Sequence, residues 1–266
     1  MPSNFVANNA EAYKQAMGRW SERLAVKFVN FLQTPLAGSV LDVGCGTGSL
    51  VAELQNNTAI HRIVGMDYSA AYVDFAKKRF SDPRIMIEQG DACALPYADA
   101  SFDAALSLLV LKFVSDPHKA VKELKRVVRR GGMVAAANWD LYGGVPVNRM
   151  FWDTATLIVP EAGLLRAKHF SLPLTKPGQF KEAWLKEGLM HVVEDEITIC
   201  MDFNNFSDYW EPISGGDGPG GQFVVSLTPQ KREEFRLALL AAYKAGGEDG
   251  PRSFACTAIV CRGIVQ

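Results

Sequence analysis

The sequence predicts a three-layer α/β domain built on a seven-stranded, mostly parallel sheet, with added helices forming a lid. Three observations lead there. Residues 40–50, VLDVGCGTGSL, read as a short apolar strand, a glycine turn and a helix start. Further apolar runs at 63–66, 85–88, 102–107 and 133–137 alternate with segments whose apolar residues recur at helical spacing. Two longer segments, 191–201 and 253–264, read as the sixth and closing strands. At 266 residues, with 48% hydrophobic and 21% charged residues, the chain is a single domain able to bury a large core.

The elements follow in order. In residues 11–33, Trp20, Leu24, Phe28, Phe31 and Leu32 mark an amphipathic helix, and Ala37-Gly38 breaks the chain before the first strand. Thr47 or Ser49 can cap the helix after the glycine turn. Ser69 caps the next helix, whose face carries Val73, Ala76 and Phe80, and Ser81-Asp82-Pro83 ends it. Asp116-Pro117 opens another helix, with Ala120, Val121, Leu124, Val127 and Val128 inward and Gly131-Gly132 as its stop. Lys122, Lys125, Arg126, Arg129 and Arg130 cluster there; without interleaved aromatics they read as a solvated helix face rather than a nucleic-acid patch. Residues 148–158 and 229–244 are apolar-striped helices, and residues 179–187 form a helix ended by Gly188. The GGDGPGG run at 215–221 lacks a Lys-Ser/Thr ending and a preceding strand, so it reads as a flexible connector rather than a phosphate loop.

The glycine turn is where chemistry enters. Gly44, Gly46 and Gly48 alternate, which wastes packing in a strand but suits a tight turn that brings backbone close to a ligand. With a strand before it and a helix N-terminus after it, the turn marks a nucleotide-cofactor site. Asp67 ends the next strand about twenty residues on, where an acid can accept ribose hydroxyls. Asp42, two residues before the first glycine, is expected inside the pocket. It would oppose a pyrophosphate by about 4 kcal/mol at about 4 Å and an effective dielectric of about 20. An ammonium and a sulfonium would instead be attracted. Ser49 also stands where a dinucleotide turn wants glycine or alanine. The pocket therefore matches S-adenosylmethionine better than NAD.

Four stretches resemble the successive motifs of class I S-adenosylmethionine-dependent methyltransferases, closest to the small-molecule enzymes of quinone biosynthesis. They are VLDVGCGTGSL, IVGMDYS at 63–69, EQGDACALPYADASFDAALS at 88–107 and RVVRRGGMVAAANWD at 126–140. The resemblance implies a Rossmann-like sheet with an antiparallel last strand. It implies cofactor contacts from Asp42, Gly44, Cys45, Gly46 and Gly48, and from Asp67 with Tyr68 beside it. Asp91 would accept from the adenine amino group, Ala92 would donate a backbone amide, and Leu108 would pack on the adenosine. The run YKQAMGRW resembles a helix that covers the cofactor, with Tyr13 and Arg19 as contacts to its methionine end. Residues 1–36 then form a cap, 37–140 the cofactor-binding core, and 141–178 with 203–250 the lid.

The acceptor side carries weaker signals. Asn138-Trp139-Asp140 ends the fifth strand, near the transferred methyl, and is not the Asn-Pro-Pro-aromatic signature of base methylation. Asp140, His118 and His169 are the candidate general bases. The aromatics of 203–210 line a lid or pack a core. No His/Asp/Glu cluster has metal-ligand spacing, so no metal is expected. The expected partner is a small-molecule methyl acceptor at an O, N, C or S atom. Net charge −1 argues against nucleic acid, five cysteines without a CxxC pair fit a reducing cytoplasm, and no apolar run spans a membrane. The alternatives are an NAD(P)-dependent reductase, opposed by Asp42 and Ser49, and a non-enzymatic adenosylmethionine-binding module. The sequence leaves oligomeric state and acceptor open.

Overall fold

Central strands buried on both faces decide the architecture. In a computed structural model, which describes residues 14–215 and 218–266, seven strands form one sheet in the order β3-β2-β1-β4-β5-β7-β6. They are β1 (Gly38–Val43), β2 (Ile60–Asp67), β3 (Ile85–Gln89), β4 (Phe102–Leu108), β5 (Val128–Trp139), β6 (Met190–Phe203) and β7 (Arg252–Ile264). β7 pairs antiparallel with both β5 and β6, so it alone runs against the rest.

Side chains of one parity in the central strands, such as Val40, Leu106 and Ala135, pack under helices α1 (Arg19–Phe31), α2 (Ser49–Leu54) and α3 (Ala70–Arg79). Those of the other parity, such as Leu41, Ala105 and Val134, pack under α4 (Pro117–Val127) and α7 (Gln179–Lys186). Three layers follow from a period of two meeting a period of 3.6. Between β5 and α7 come α5 (Pro146–Ile158) and α6 (Ala162–Phe170). Between β6 and β7 come α8 (Phe206–Ser214), α9 (Gly218–Ser226) and α10 (Pro229–Lys244). Among the described residues, no helix is long and apolar enough to cross a membrane.

Two expected caps are made. Ser69 Oγ accepts from Tyr72 N at 3.3 Å, and Asp116 Oδ1 from Lys119 N at 3.0 Å. Elsewhere the local reading yields to tertiary context. Neither Thr47 nor Ser49 caps α2; Gly48, left-handed at φ 88°, takes the N-cap position. Gly131-Gly132 does not stop α4, which ends at Val127, but lies inside β5, where the pairing with β4 is irregular. A left-handed Gly131 (φ 77°) fits that irregularity. The 215–221 run is only partly a connector, because a helix starts at Gly218. The first helix is preceded by a π-helical turn, Lys14–Gly18.

Three of the five residues of the basic cluster are committed within the fold, while Lys122 and Arg130 are exposed. Arg126 bridges Asp99 and Glu123, each at 2.8 Å, Arg129 pairs with Asp103, and Lys125 donates to the Glu187 carbonyl. Asp103 also accepts from Ser39 N at 2.7 Å, the structural role expected of it.

Candidate active site

The strand order reverses between β1 and β4, so a crevice opens at their carboxyl ends, where open α/β sheets bind ligands. Gly44 (φ 78°), Gly46 (φ 54°) and Gly48 (φ 88°) turn the chain there in a conformation that disfavours a Cβ. The turn is tied to β2. Gly44 N and Cys45 N donate to the Met66 carbonyl at 2.7 and 2.9 Å. Gly46 N donates to Asp67 Oδ2 and Ser69 N to Asp67 Oδ1, each at 2.9 Å. A Cβ on Gly44 would also meet both methyls of Val110. Gly44→Ala is therefore expected to cost about 1–3 kcal/mol of stability, read as a lowered urea midpoint. An unchanged midpoint would mean that the turn is not left-handed at Gly44.

Two carboxylates end up close together, Asp42 buried and Asp67 half-buried. Asp42 is 1% exposed, so it lies at the base of the turn and not on an open pocket wall. Neither of its oxygens has a hydrogen-bond partner. Burial, and then the charge of Asp67, pushes its pKa up to about 8. Burial also raises the pKa of Asp67, against the pull of the Ser69, Gly46 and Tyr68 amides. An orphaned buried carboxylate fits a cationic ligand and not an anionic one.

The sign of the pH effect follows. In the free protein the Asp42 proton contributes stability that is present below the unfolded carboxylate pKa and is lost as pH rises through about 8. A cation placed beside Asp42 expels that proton. Adenosylmethionine binding is thus expected to release a proton at neutral pH and to tighten as pH rises toward that value. Calorimetry in two buffers of different ionisation enthalpy measures the release. An identical heat in both would show that Asp42 does not meet the cation.

The remaining expected contacts are distributed as follows. Asp91, exposed at the end of β3, accepts from Cys93 N at 2.8 Å, and Ala92 is nearly buried. Leu108 is buried inside β4 and not just beyond it, while the Tyr68 side chain is exposed. Tyr13 lies outside the described residues. Arg19 pairs with Asp208 of α8 at 2.9 Å and lies over the rings of Trp20 and Phe203. It thereby fastens the N-terminal helix to the lid.

Beside the turn, an apolar cavity of about 190 Å³ opens between α1, the ends of β4 and β5, and the lid helices. Trp139, Leu141, Val147, Phe151, Trp152, Met201 and Phe203 give it an apolar wall; Arg19, Lys112, Asn148, His169 and Asp208 are its charged and polar members. The aromatics of 203–210 serve in both lid and core, since Phe203 and Tyr209 line the cavity and are also buried against α1, α10 and β7.

Of the candidate bases, only His169 reaches this wall. It sits on α6, with Nε2 3.4 Å from Asn148 Nδ2, and its ring tilts toward Trp152 at 5.5 Å. Burial, then the charges of Lys112 and Arg149, pushes its pKa down to about 4. His118 is exposed on α4, outside the cavity. Asp140 accepts from Tyr142 N and Gly143 N, closing a turn. Asn138 is equally committed, donating to the Leu174 carbonyl at 2.9 Å, which leaves Trp139 as the member of that tripeptide on the cavity.

Lys112 has no counterpart in the sequence reading. It is 5% exposed, and its Nζ donates to the Leu109 carbonyl at 2.6 Å. No carboxylate among the described residues forms a salt bridge with it. Burial lowers its pKa to about 7. A lone cation inside the apolar run LLVLKFV, just past the end of β4, was the available signal.

A doubly wound sheet with this turn at its switch point and a reversed penultimate-position strand β7 defines the class I S-adenosylmethionine-binding fold. Residues 41–136 match the methyltransferase domain family. The matched stretch, 96 of the 266 residues, is the part of the chain that carries the glycine turn, Asp42 and Asp67. Among relatives, the demethylmenaquinone methyltransferase of Lactobacillus johnsonii is 26% identical over 187 residues, covering 65% of this chain and 76% of that one. The chain spans about half the length, or less, of most of the other curated relatives it matches. Among solved structures, the phosphoethanolamine N-methyltransferase 2 of Haemonchus contortus, in complex with phosphomonomethylethanolamine and S-adenosylhomocysteine, superposes at TM-score 0.62 with 15% identity. It covers 97% of this chain and 57% of that one. The [4+2]-cyclase SpnF superposes at TM-score 0.52 with 23% identity, over 99% and 88% of the two chains. These structural likenesses concern the fold alone.

Proposed function

We propose that this chain transfers the methyl group of S-adenosylmethionine to a nucleophilic atom of a small, largely apolar molecule. The observation that carries this reading is the apolar cavity at the ends of β4 and β5, near a glycine turn underlain by the buried, unpartnered Asp42 carboxyl group. In this reading Asp42, Asp67, Asp91, Ala92, Leu108 and the glycine turn hold the cofactor. Residues 1–36, 141–178 and 203–250 enclose the acceptor. The bound sulfonium supplies an electrophilic methyl with its own leaving group. The protein's part is to align the acceptor and exclude water, and the aromatic wall suits both tasks. The relative named for demethylmenaquinone is consistent with an apolar acceptor. The absence of a membrane-crossing helix among the described residues and the free cysteines are consistent with a cytoplasmic location.

The test is incubation with methyl-labelled S-adenosylmethionine and a panel of phenols, quinols and small amines, with S-adenosylhomocysteine and labelled product as readout. A parallel calorimetric titration with NADH decides against the reductase if it gives no heat. Tight adenosylmethionine binding without turnover of any panel member would favour a binding module.

A further inference from the structure

Among the described residues, the one cation that the apolar cavity keeps without a carboxylate partner sits where an acceptor would have to be recognised. Lys112 follows Leu109, a bulky residue at φ 68°, and its ammonium is held by the carbonyl of that same residue. A leucine in the left-handed region is strained, and such strain persists where the surroundings enforce it. Here the Leu109 amide is fixed to the Ala137 carbonyl of β5 at 2.7 Å, so the bend turns the segment back over the sheet end. The result places Lys112 on a wall otherwise made of rings and aliphatic chains. The charged groups around it are accounted for. His169 and Arg149 approach from α6 and α5, and Arg149 is engaged with the Tyr142 carbonyl and the Phe170 ring. Arg19 and Asp208, also on the wall, are paired with each other.

From this placement we infer that the acceptor is an acidic hydroxyl compound, a phenol or enol of about one ring, bound as its anion against Lys112. The inference rests on the methyl-transfer reading and narrows its acceptor class. A cavity of about 150 Å³ accepts benzene, so the 190 Å³ here admits one substituted ring. The proton step is balanced. The acceptor O–H bond breaks, its electron pair stays on oxygen, and the proton joins the neutral Lys112 amine to give an ammonium–oxyanion pair. A lysine whose pKa burial has brought to about 7 holds enough neutral amine for this. Methyl transfer consumes the negative charge. Lys112 is then again a buried, unpaired ammonium, so its proton returns to solvent. An amine acceptor, arriving as a cation, would be repelled by the same group.

The probe is 4-nitrophenol, coloured as the phenolate and colourless as the phenol. It is titrated into the protein with and without S-adenosylhomocysteine at about pH 7, where neutral Lys112 amine is present, and the colour of the free dye at that pH is subtracted. Wild type is expected to bind it as the coloured anion. Lys112→Met is expected to bind it at least about tenfold more weakly and without colour. The neutral ether 4-nitroanisole is expected to bind both proteins alike. The variant removes a charge whose pKa is depressed on folding, a penalty that grows as pH falls from the ordinary lysine range to about 7 and stays complete below it, so it is expected to fold at least as stably. Colourless binding by wild type, no binding by wild type, or equal colour in the variant would overturn the inference. The wild-type spectrum decides by itself should the variant not fold. A protein that ionises the dye yet fails to bind S-adenosylhomocysteine would leave this inference standing and sink the methyl-transfer reading.

Discussion

Phe235→Ala is expected to destabilise the protein by about 3–5 kcal/mol, the usual cost of emptying a buried phenylalanine site. Phe235 is fully buried on α10. Its ring meets Phe151 of α5 at 5.1 Å, Phe223 of α9 at 5.6 Å and Trp210 of α8 at 5.9 Å, each edge to face. Four lid helices therefore share one ring, and each such pair adds about 0.5–1.5 kcal/mol beyond the area it buries. The cavity lies against the same cluster, since Phe151 belongs to its wall. Loosening the cluster is expected to raise KM for the acceptor more than it weakens the cofactor. Denaturant unfolding gives the stability change. A loss below about 1 kcal/mol would mean that the four helices do not converge on Phe235.

Asp67→Ala is expected to weaken S-adenosylhomocysteine binding by about 1.5–3 kcal/mol, roughly 10- to 150-fold. Two effects add. The variant removes the carboxylate proposed to accept from the ribose, and it frees the Gly46 and Ser69 amides that this carboxylate fixes. Asp67→Asn separates them, because an amide oxygen still accepts but carries no charge. It is expected to retain part of the affinity, and to lower the Asp42 pKa by removing a charge that raises it. Calorimetry on both variants is the measurement. Unchanged affinity in the alanine variant would remove Asp67 from the cofactor's contacts.

Most of the sheet was legible because parallel strands buried on both faces read as short apolar runs. Residues 63–66, 85–88 and 102–107 fall inside β2, β3 and β4, and the helix starts at Ser69 and Asp116 were set by local caps. What escaped was decided by distant partners. Gly131-Gly132 looked like a helix stop, yet they sit in an irregular stretch of β5, tied by backbone hydrogen bonds to Val265 and flanked on both sides by pairing with β4. GPGGQFVVS has the composition of a linker, but its Phe223 and Val224 are buried in the lid and hold a helix together against its propensity. Nothing local to Arg19 shows its pairing with Asp208, 189 residues away. His169 and Lys112 meet the same cavity from α6 and from the turn after β4, and no sequence spacing relates them.

The hydrogen-bonded register between β6 and β7 has a consequence for how such a protein diversifies. Phe203 and Arg252, the residues on either side of α8 to α10, face each other across the ladder. The three helices are thus an insertion whose two roots stay a strand spacing apart whatever their content. A transplanted helical module of different length or polarity could be grafted between those roots without rewiring the sheet. Chimeras joined at these two positions offer a direct route to new acceptor preferences on an unchanged methyl-donor platform.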